Sequence, residues 1–180
     1  FDVARILIEV MQDASVHVNL GLVELGQGMR TAQQQMVAEG LGVTFERVTM
    51  AETDTSRAPV TGACIASRGT MLGGGAIREA TNQLKDILVQ GLKKDYGEDI
   101  GPVTFENDKV LFDDKELSFD EVVKRTYHWN LTPTTVGTYT VPIVNWDEEK
   151  GYGAPFFTYT YSCHAAEVEV DLDLGTVEVI

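Results

Sequence analysis

The chain opens on an alternating pattern. From Ala4 to Val10 apolar side chains recur at every second position, at Ile6, Ile8 and Val10, and after Gln12-Asp13-Ala14 the same period resumes at Val16, Val18 and Leu20. A period of two, broken by a short polar turn, predicts an antiparallel hairpin with one buried face. Gly26-Gln27-Gly28 then interrupts the pattern, and the spacing turns helical. Met29, Ala32, Met36, Val37 and Leu41 share one face, with Gly40 and Gly42 expected to end the helix. A short strand fits Arg47 to Glu52, and Thr53 to Gly69, rich in Thr, Ser, Gly and Pro, reads as loop. A second helix is predicted from Gly69 to Lys94, carrying Ile77, Ala80, Leu84, Ile87, Leu88 and Leu92 on one side. Lys93 and Lys94 stand at its C-terminal end, where the helix dipole favours cations.

Beyond Asp95 the elements are shorter. Lys109 to Phe112, a turn at Asp113-Asp114 and Lys115 to Leu117 predict a small hairpin. Ser118 with Glu121 forms a capping box that opens a helix to about Tyr127. Thr138 to Val144 reads as a strand, Asp147 to Pro155 as a loop, and Phe156 to Ile180 as a last hairpin turning through Asp173 to Gly175. This tail, with Ala166-Glu-Val-Glu-Val-Asp and Gly-Thr-Val-Glu-Val, echoes the opening Arg5-Ile-Leu-Ile-Glu-Val and Ala-Ser-Val-His-Val. The first copy runs on into a glycine loop and a helix, whereas the second stops at Ile180. The echo reads either as a ββα unit cut after ββ or as the ordinary likeness of two hairpins. Together with Phe1 in place of Met, it leads to the expectation of a segment excised from a longer protein. The expected fold class is α+β, hairpins and helices in layered sheet–helix lobes. A first ββαβα lobe covers 1–95 and a second, truncated lobe 96–180.

Composition narrows the partners. A net charge of −14, from 28 acidic and 14 basic residues, opposes nucleic-acid backbones and anionic membranes. No stretch approaches the roughly 20 apolar residues of a membrane span, and no signal peptide is recognisable. Cys64 and Cys163 are far apart and outside any CxxC pair, so both are expected to be free thiols in a reducing, cytoplasmic setting.

Classical catalytic and metal sets are missing: there is no GxSxG, no HExxH and no paired cysteine motif. His17, His128 and His164 are scattered, and in a strand-like stretch Cys163 and His164 would face opposite ways. Gly26-x-Gly28 follows a strand, opens a helix and precedes Glu52 and Asp54, which is the order of a dinucleotide fingerprint. Against that reading, Thr31 stands at the third glycine position and the strand before it belongs to an antiparallel hairpin. The strongest local signal is Thr61-Gly-Ala-Cys-Ile-Ala-Ser-Arg-Gly-Thr70. Small residues let a backbone approach a ligand, hydroxyls can donate, and the first N–H groups of the following helix are unpaired. Plain capping by Ser67 explains the same residues. On the residues alone, a free-standing phospho-ligand or nucleotide-binding module and an assembly domain without a ligand both stay open.

Taken in order, the motifs name a family. Val23-Glu-Leu-Gly-Gln-Gly-Met-Arg-Thr31, Ala38-Glu-Gly-Leu-Gly42, Thr53-Asp-Thr55, Pro59, Ala66-Ser-Arg-Gly-Thr70 and Gly74 resemble the second molybdenum-cofactor-binding domain of the molybdenum hydroxylase large subunits. These are the xanthine dehydrogenases, aldehyde oxidases and carbon monoxide dehydrogenases. The tail, with Ala166 to Asp171 and Gly175-Thr-Val, is similar too. The resemblance implies that Gln27 meets the pterin-dithiolene part of molybdopterin, with Gly26 and Gly28 allowing close approach. It implies that Cys64, Ala66, Ser67, Arg68, Gly69 and Thr70 hold the cofactor's phosphate or the start of a dinucleotide extension. Where relatives often carry Thr or Ser, this chain has Cys64 and Gly69. A few charge-assisted hydrogen bonds, about 1.5–3 kcal/mol each, outweigh a diffuse negative field screened beyond about 8 Å. Because Gly69 is read as standing at an open helix entrance, a carboxylate placed there is expected to leave the fold intact.

The family's Gly-Gly-Phe-Gly-Gly-type loop and catalytic glutamate have no counterpart here, and Glu24 and Glu39 are not that glutamate. No catalytic and no metal-ligating residue is therefore expected in this chain. The intact enzyme is expected to hydroxylate a purine, aldehyde or N-heterocycle carbon with water as oxygen source. Iron–sulfur and FAD groups on partner domains or subunits would accept the electrons, and the rest of the molybdenum-binding subunit would complete the site.

Overall fold

The computed structural model describes residues 3–180. Strand β1 (Val3–Val10) carries the predicted period: Ala4, Ile6, Ile8 and Val10 are fully buried and the residues between them only partly. It pairs antiparallel with β2 (Val16–Leu20), Ile8 opposite Val18. The connecting turn closes by Met11 N–H to Ser15 O at 2.8 Å and places Ala14 at a positive φ of 65°. Helix α1 (Met29–Leu41) follows, then a 3-10 turn (Phe45–Arg47) and β3 (Val48–Met50), which lies parallel to β2. The expected strand at Arg47 to Glu52 is thus shorter.

Helix α2 (Arg68–Tyr96) is 29 residues long and buries Leu72, Ala76, Ile77, Ala80, Leu84, Leu88 and Leu92 at helical spacing. Next come β4 (Thr104–Glu106), β5 (Lys109–Phe112) and β6 (Lys115–Ser118), a three-stranded antiparallel sheet. Helix α3 (Phe119–His128) opens on the predicted capping box: Glu121 N–H donates to Ser118 Oγ at 3.3 Å, and Ser118 N–H to Glu121 Oε2 at 2.9 Å.

Strand β7 (Thr134–Thr140) returns to β1, Gly137 opposite Ile6, and completes the order β3-β2-β1-β7. The strand expected at Thr138 to Val144 therefore begins and ends earlier. Its inner face is Thr135, Gly137 and Tyr139, small or polar for a buried face, because α2 lies directly on it. A Cβ on Gly137 would overlap the carbonyl oxygen of Ala76 and sit 2.7 Å from Ala80 N. Thr135 Oγ1 donates to Ala80 O at 3.1 Å. This pairing also moves the division of the chain. The first compact unit runs to Val141, not to residue 95, since β7 is a strand of the first sheet and α3 packs on α2 through Thr126 and Gly91.

The second unit, Pro142–Ile180, holds two small hairpins: β8 (Trp146–Asp147) with β9 (Tyr152–Gly153), and β10 (Val168–Asp171) with β11 (Thr176–Val179). The stretch around Cys163 and His164 has no strand, contrary to the expectation. Val168, Val170, Val177 and Val179 are exposed. Among the described residues no helix is long and apolar enough to cross a membrane.

Candidate functional site

Helices α1 and α2 pack side by side in the same direction, so their N-termini lie together. Beginning at that end, Met29 faces Gly69, Gln33 faces Gly73, Met36 faces Gly74, and Gly40 faces Thr81. Gly40 therefore belongs to the interface and does not end the helix; the end is Gly42, in the left-handed region at φ 67°. Glycine at positions 69, 73 and 40 lets the two backbones approach, and Gln33 ties them by donating from Nε2 to Gly69 O at 3.0 Å.

The close packing brings together the two motifs that lie far apart in sequence. Gln27 Nε2 lies 3.9 Å from Cys64 Sγ, and both donate to the carbonyl of Val23, at 3.1 and 3.3 Å. Gln27 Oε1 accepts from Leu25 N–H at 2.6 Å, which leaves that oxygen a lone pair, while Nε2 also reaches the sulfurs of Met29 and Cys64, each at 3.9 Å. Gly26 and Gly28 sit at φ 101° and 76°, a region that strains other residues, and a Cβ on either would meet no atom within 4 Å. The loop thus has an open side along its glycines.

The two helix entrances differ. At α1 Gly28 supplies no side-chain cap, and the carboxylate of Glu24 does so from upstream. Its Oε1 accepts from Gly26 N–H at 2.7 Å and Gly28 N–H at 3.0 Å, and its Oε2 from Arg30 N–H at 3.0 Å. These bonds, the one from Arg30 foremost, hold the Glu24 carboxyl below the usual range for glutamate. At α2 the Ser67 hydroxyl makes no cap bond, which removes the plain-capping explanation of this segment. Among the described residues the backbone bonds there are Arg68 N–H to Ile65 O and Met71 N–H to Ser67 O, which leaves the N–H groups of Gly69 and Thr70 for other partners.

The remaining expected residues take different places. Ala66 adopts a positive φ of 47°, bending the chain into α2. Thr70 is exposed on the first turn, whereas Gly69 is buried. Arg68 braces the loop, donating from Nε to Ala63 O at 2.9 Å and from Nη2 to Val3 O at 3.3 Å. With Arg5, whose Nη1 reaches Val60 O at 3.0 Å, it lines a concavity of about 400 Å³ beside Thr61, Gly62 and Ile65. The space at Gly69 is tighter than the open entrance expected for a carboxylate. A Cβ there would fall 3.1 Å from Met29 Cγ and closer still to Sδ, so any side chain displaces a buried methionine. Glu24, Gln33 and Arg5 escaped the sequence reading. Only Glu24 carried a signal, a carboxylate two, four and six residues ahead of the N–H groups it meets. Both cysteines are free, and among the described residues no group of His, Cys, Asp and Glu could hold a metal ion.

Comparison with known proteins shows the family of the chain. The family model described as a molybdopterin cofactor-binding domain matches residues 1–180. The chain is 28% identical over 182 residues to a xanthine dehydrogenase of Oryza sativa subsp. japonica, covering 98% of this chain and 12% of that protein. It is 30% identical to a xanthine dehydrogenase of Emericella nidulans, covering 96% of this chain and 11% of that protein. A structure of quinoline 2-oxidoreductase from Pseudomonas putida 86 shares the fold with a TM-score of 0.67 at 24% identity, over 77% of this chain and 19% of that one. The chain spans about one eighth of the length of the curated relatives it matches. A free-standing phospho-ligand or nucleotide-binding module finds no support in these matches.

Proposed function

Since this chain belongs to the molybdopterin cofactor-binding domain family, we propose that it anchors the pterin cofactor in a larger, xanthine dehydrogenase-like molybdenum hydroxylase. That enzyme hydroxylates a carbon of a purine, an aldehyde or an N-heterocycle, taking oxygen from water and two electrons from the substrate. When bound, the cofactor supplies the molybdenum chemistry of that step, and iron–sulfur and flavin groups on partner domains or subunits receive the electrons. Two free thiols fit a reducing compartment, and we assign the enzyme to the cytoplasm.

The observation that carries this reading is the unequal state of two adjacent helix entrances. One is occupied by Glu24, while at the other, among the described residues, the N–H groups of Gly69 and Thr70 have no backbone partner and the Ser67 hydroxyl makes no cap bond. A flat, polar ring with an anionic tail fits that donor set. Gln27 offers an amide edge beside the open glycine side of its loop, and the entrance of α2 offers N–H donors and a helix dipole to the phosphate. In this assignment Gly26, Gln27, Gly28 and Cys64 line the ring, Ser67, Gly69 and Thr70 bind the anion, and Ala66 and Arg68 shape the loop that presents them. The chain's residues bind and orient; none of them moves the reacting proton.

The test uses the natural full-length polypeptide, produced in a host that makes the cofactor. Metal analysis and fluorescence of the oxidised pterin should find both in the wild-type protein. The pair Gln27→Ala and Ser67→Ala should leave the protein folded and lower its molybdenum several-fold. Wild-type protein without molybdenum or pterin, or full loading of the double variant, would refute the proposal.

A further inference from the structure

Glu24 is assigned no contact with the cofactor, yet it accepts three backbone hydrogen bonds at the centre of the site. The N–H groups of Gly26, Gly28 and Arg30 are those that a helix entrance offers to an anionic ligand. A carboxylate fixed among them takes these three donors from a phosphate and repels it at short range. The same bonds decide the shape of the loop. Two glycines at positive φ would otherwise sample many conformations, and here their N–H groups are held on one oxygen atom. In that single geometry Gln27 is bonded to Leu25 and Val23 and lies beside Cys64. Arg30 extends the brace, its guanidinium reaching Met50 O at 2.6 Å and Glu52 Oε2 at 2.9 Å.

We propose that Glu24 is a positioning residue, an internal anion that closes the entrance of α1, holds Gln27 in one place and thereby sends the cofactor's anionic end to the entrance of α2. This rests on the cofactor-anchoring function proposed above.

Glu24→Ala removes Cγ and the carboxylate, the atoms of acetate, so acetate is the probe. In full-length protein from a host that cannot make the cofactor, hydrogen exchange across residues 22–32 should become about tenfold faster in Glu24→Ala. Acetate should restore it, and chloride at equal ionic strength should not. Loaded Glu24→Ala protein should release molybdenum several-fold faster on dialysis, with acetate slowing the release. Exchange and retention equal to wild type would overturn the inference and leave the proposed function standing, because the wild type still holds molybdenum. A loss that acetate does not reverse would overturn it as well, since damage to the fold gives that result. If Glu24→Ala does not fold, Glu24→Gln decides, having the same length and one acceptor oxygen. Its retention should fall several-fold, and retention equal to wild type overturns the inference. Wild-type protein without molybdenum removes the function and this inference with it.

Discussion

Replacing Gly69 by alanine tests whether the approach of α2 to α1 sets the site. The added Cβ would lie 3.1 Å from Met29 Cγ and closer still to Sδ, whereas comfortable heavy-atom contacts are about 3.5–4.0 Å. Met29 is 3% exposed, so its sulfur has little free space into which to swing. Overpacking of this kind costs about 1–3 kcal/mol. Alanine's better helix propensity offsets at most about 1 kcal/mol, and less in a first turn. The net expectation is a destabilisation of about 1–2 kcal/mol. In urea unfolding of the chain that lowers the midpoint by roughly 0.5–1 M for a slope near 2 kcal/mol/M. Met29→Ala alone should cost about 2–5 kcal/mol by opening a cavity. In the double variant the two changes should partly cancel, with a coupling of about 1–2 kcal/mol. Gly69→Asp should be worse than Gly69→Ala despite the helix dipole, because the carboxylate enters the same filled space. A Gly69→Ala protein as stable as wild type, or strict additivity with Met29→Ala, would refute the packing argument.

Three further outcomes follow from the geometry. Ala66→Gly should raise the urea midpoint, because a φ of 47° strains alanine by roughly 1–2 kcal/mol and glycine's extra unfolded-state freedom offsets about 0.5–1 of that; a lower midpoint would contradict the strain. Gly137→Ala should cost about 3 kcal/mol or more, since its Cβ would strike backbone atoms of Ala76 and Ala80 that cannot rotate away, and a near-wild-type melting curve would show β7 free to shift. Asp95 is held below the usual carboxylate range by the hydrogen bond from Arg125 first, against the upward push of burial, and then by the indole N–H of Trp129. Its contribution is present above the unfolded value of about 3.9 and lost as pH falls through the lower folded value. The difference in melting temperature between wild type and Asp95→Asn should therefore be constant near neutrality and shrink in acid, and a difference independent of pH would remove Asp95 from the account.

Much of the chain was legible because its signals are local. The alternation at Ile6, Ile8, Val10, Val16, Val18 and Leu20 comes from side chains two apart on one face, and the structure buries that face. The capping box at Ser118 and Glu121 needs only three residues, and the α+β class follows from such pieces. The family was legible in the motifs around Gly26-Gln27-Gly28 and Ala66 to Thr70, and the match over residues 1–180 bears it out.

What escaped the sequence depends on contacts between distant residues that carry no hydrophobic pattern. Strand β7 was misplaced because its buried face is Thr135, Gly137 and Tyr139; the place of a large side chain there is taken by the backbone of α2. The same absence hid the seam between α1 and α2, where Gly40, Gly69 and Gly73 mark close approach, and where Gly40 read as a helix stop. Which helix entrance stays open was beyond any periodicity, since it turns on the direction of one carboxylate, that of Glu24, toward three N–H groups of its own loop. Sequence alone determined the elements with their own buried faces and the motifs of the loops. Tertiary structure decided how those loops meet, because glycine encodes proximity by the atoms it lacks, and only a folded neighbour shows what fills that space.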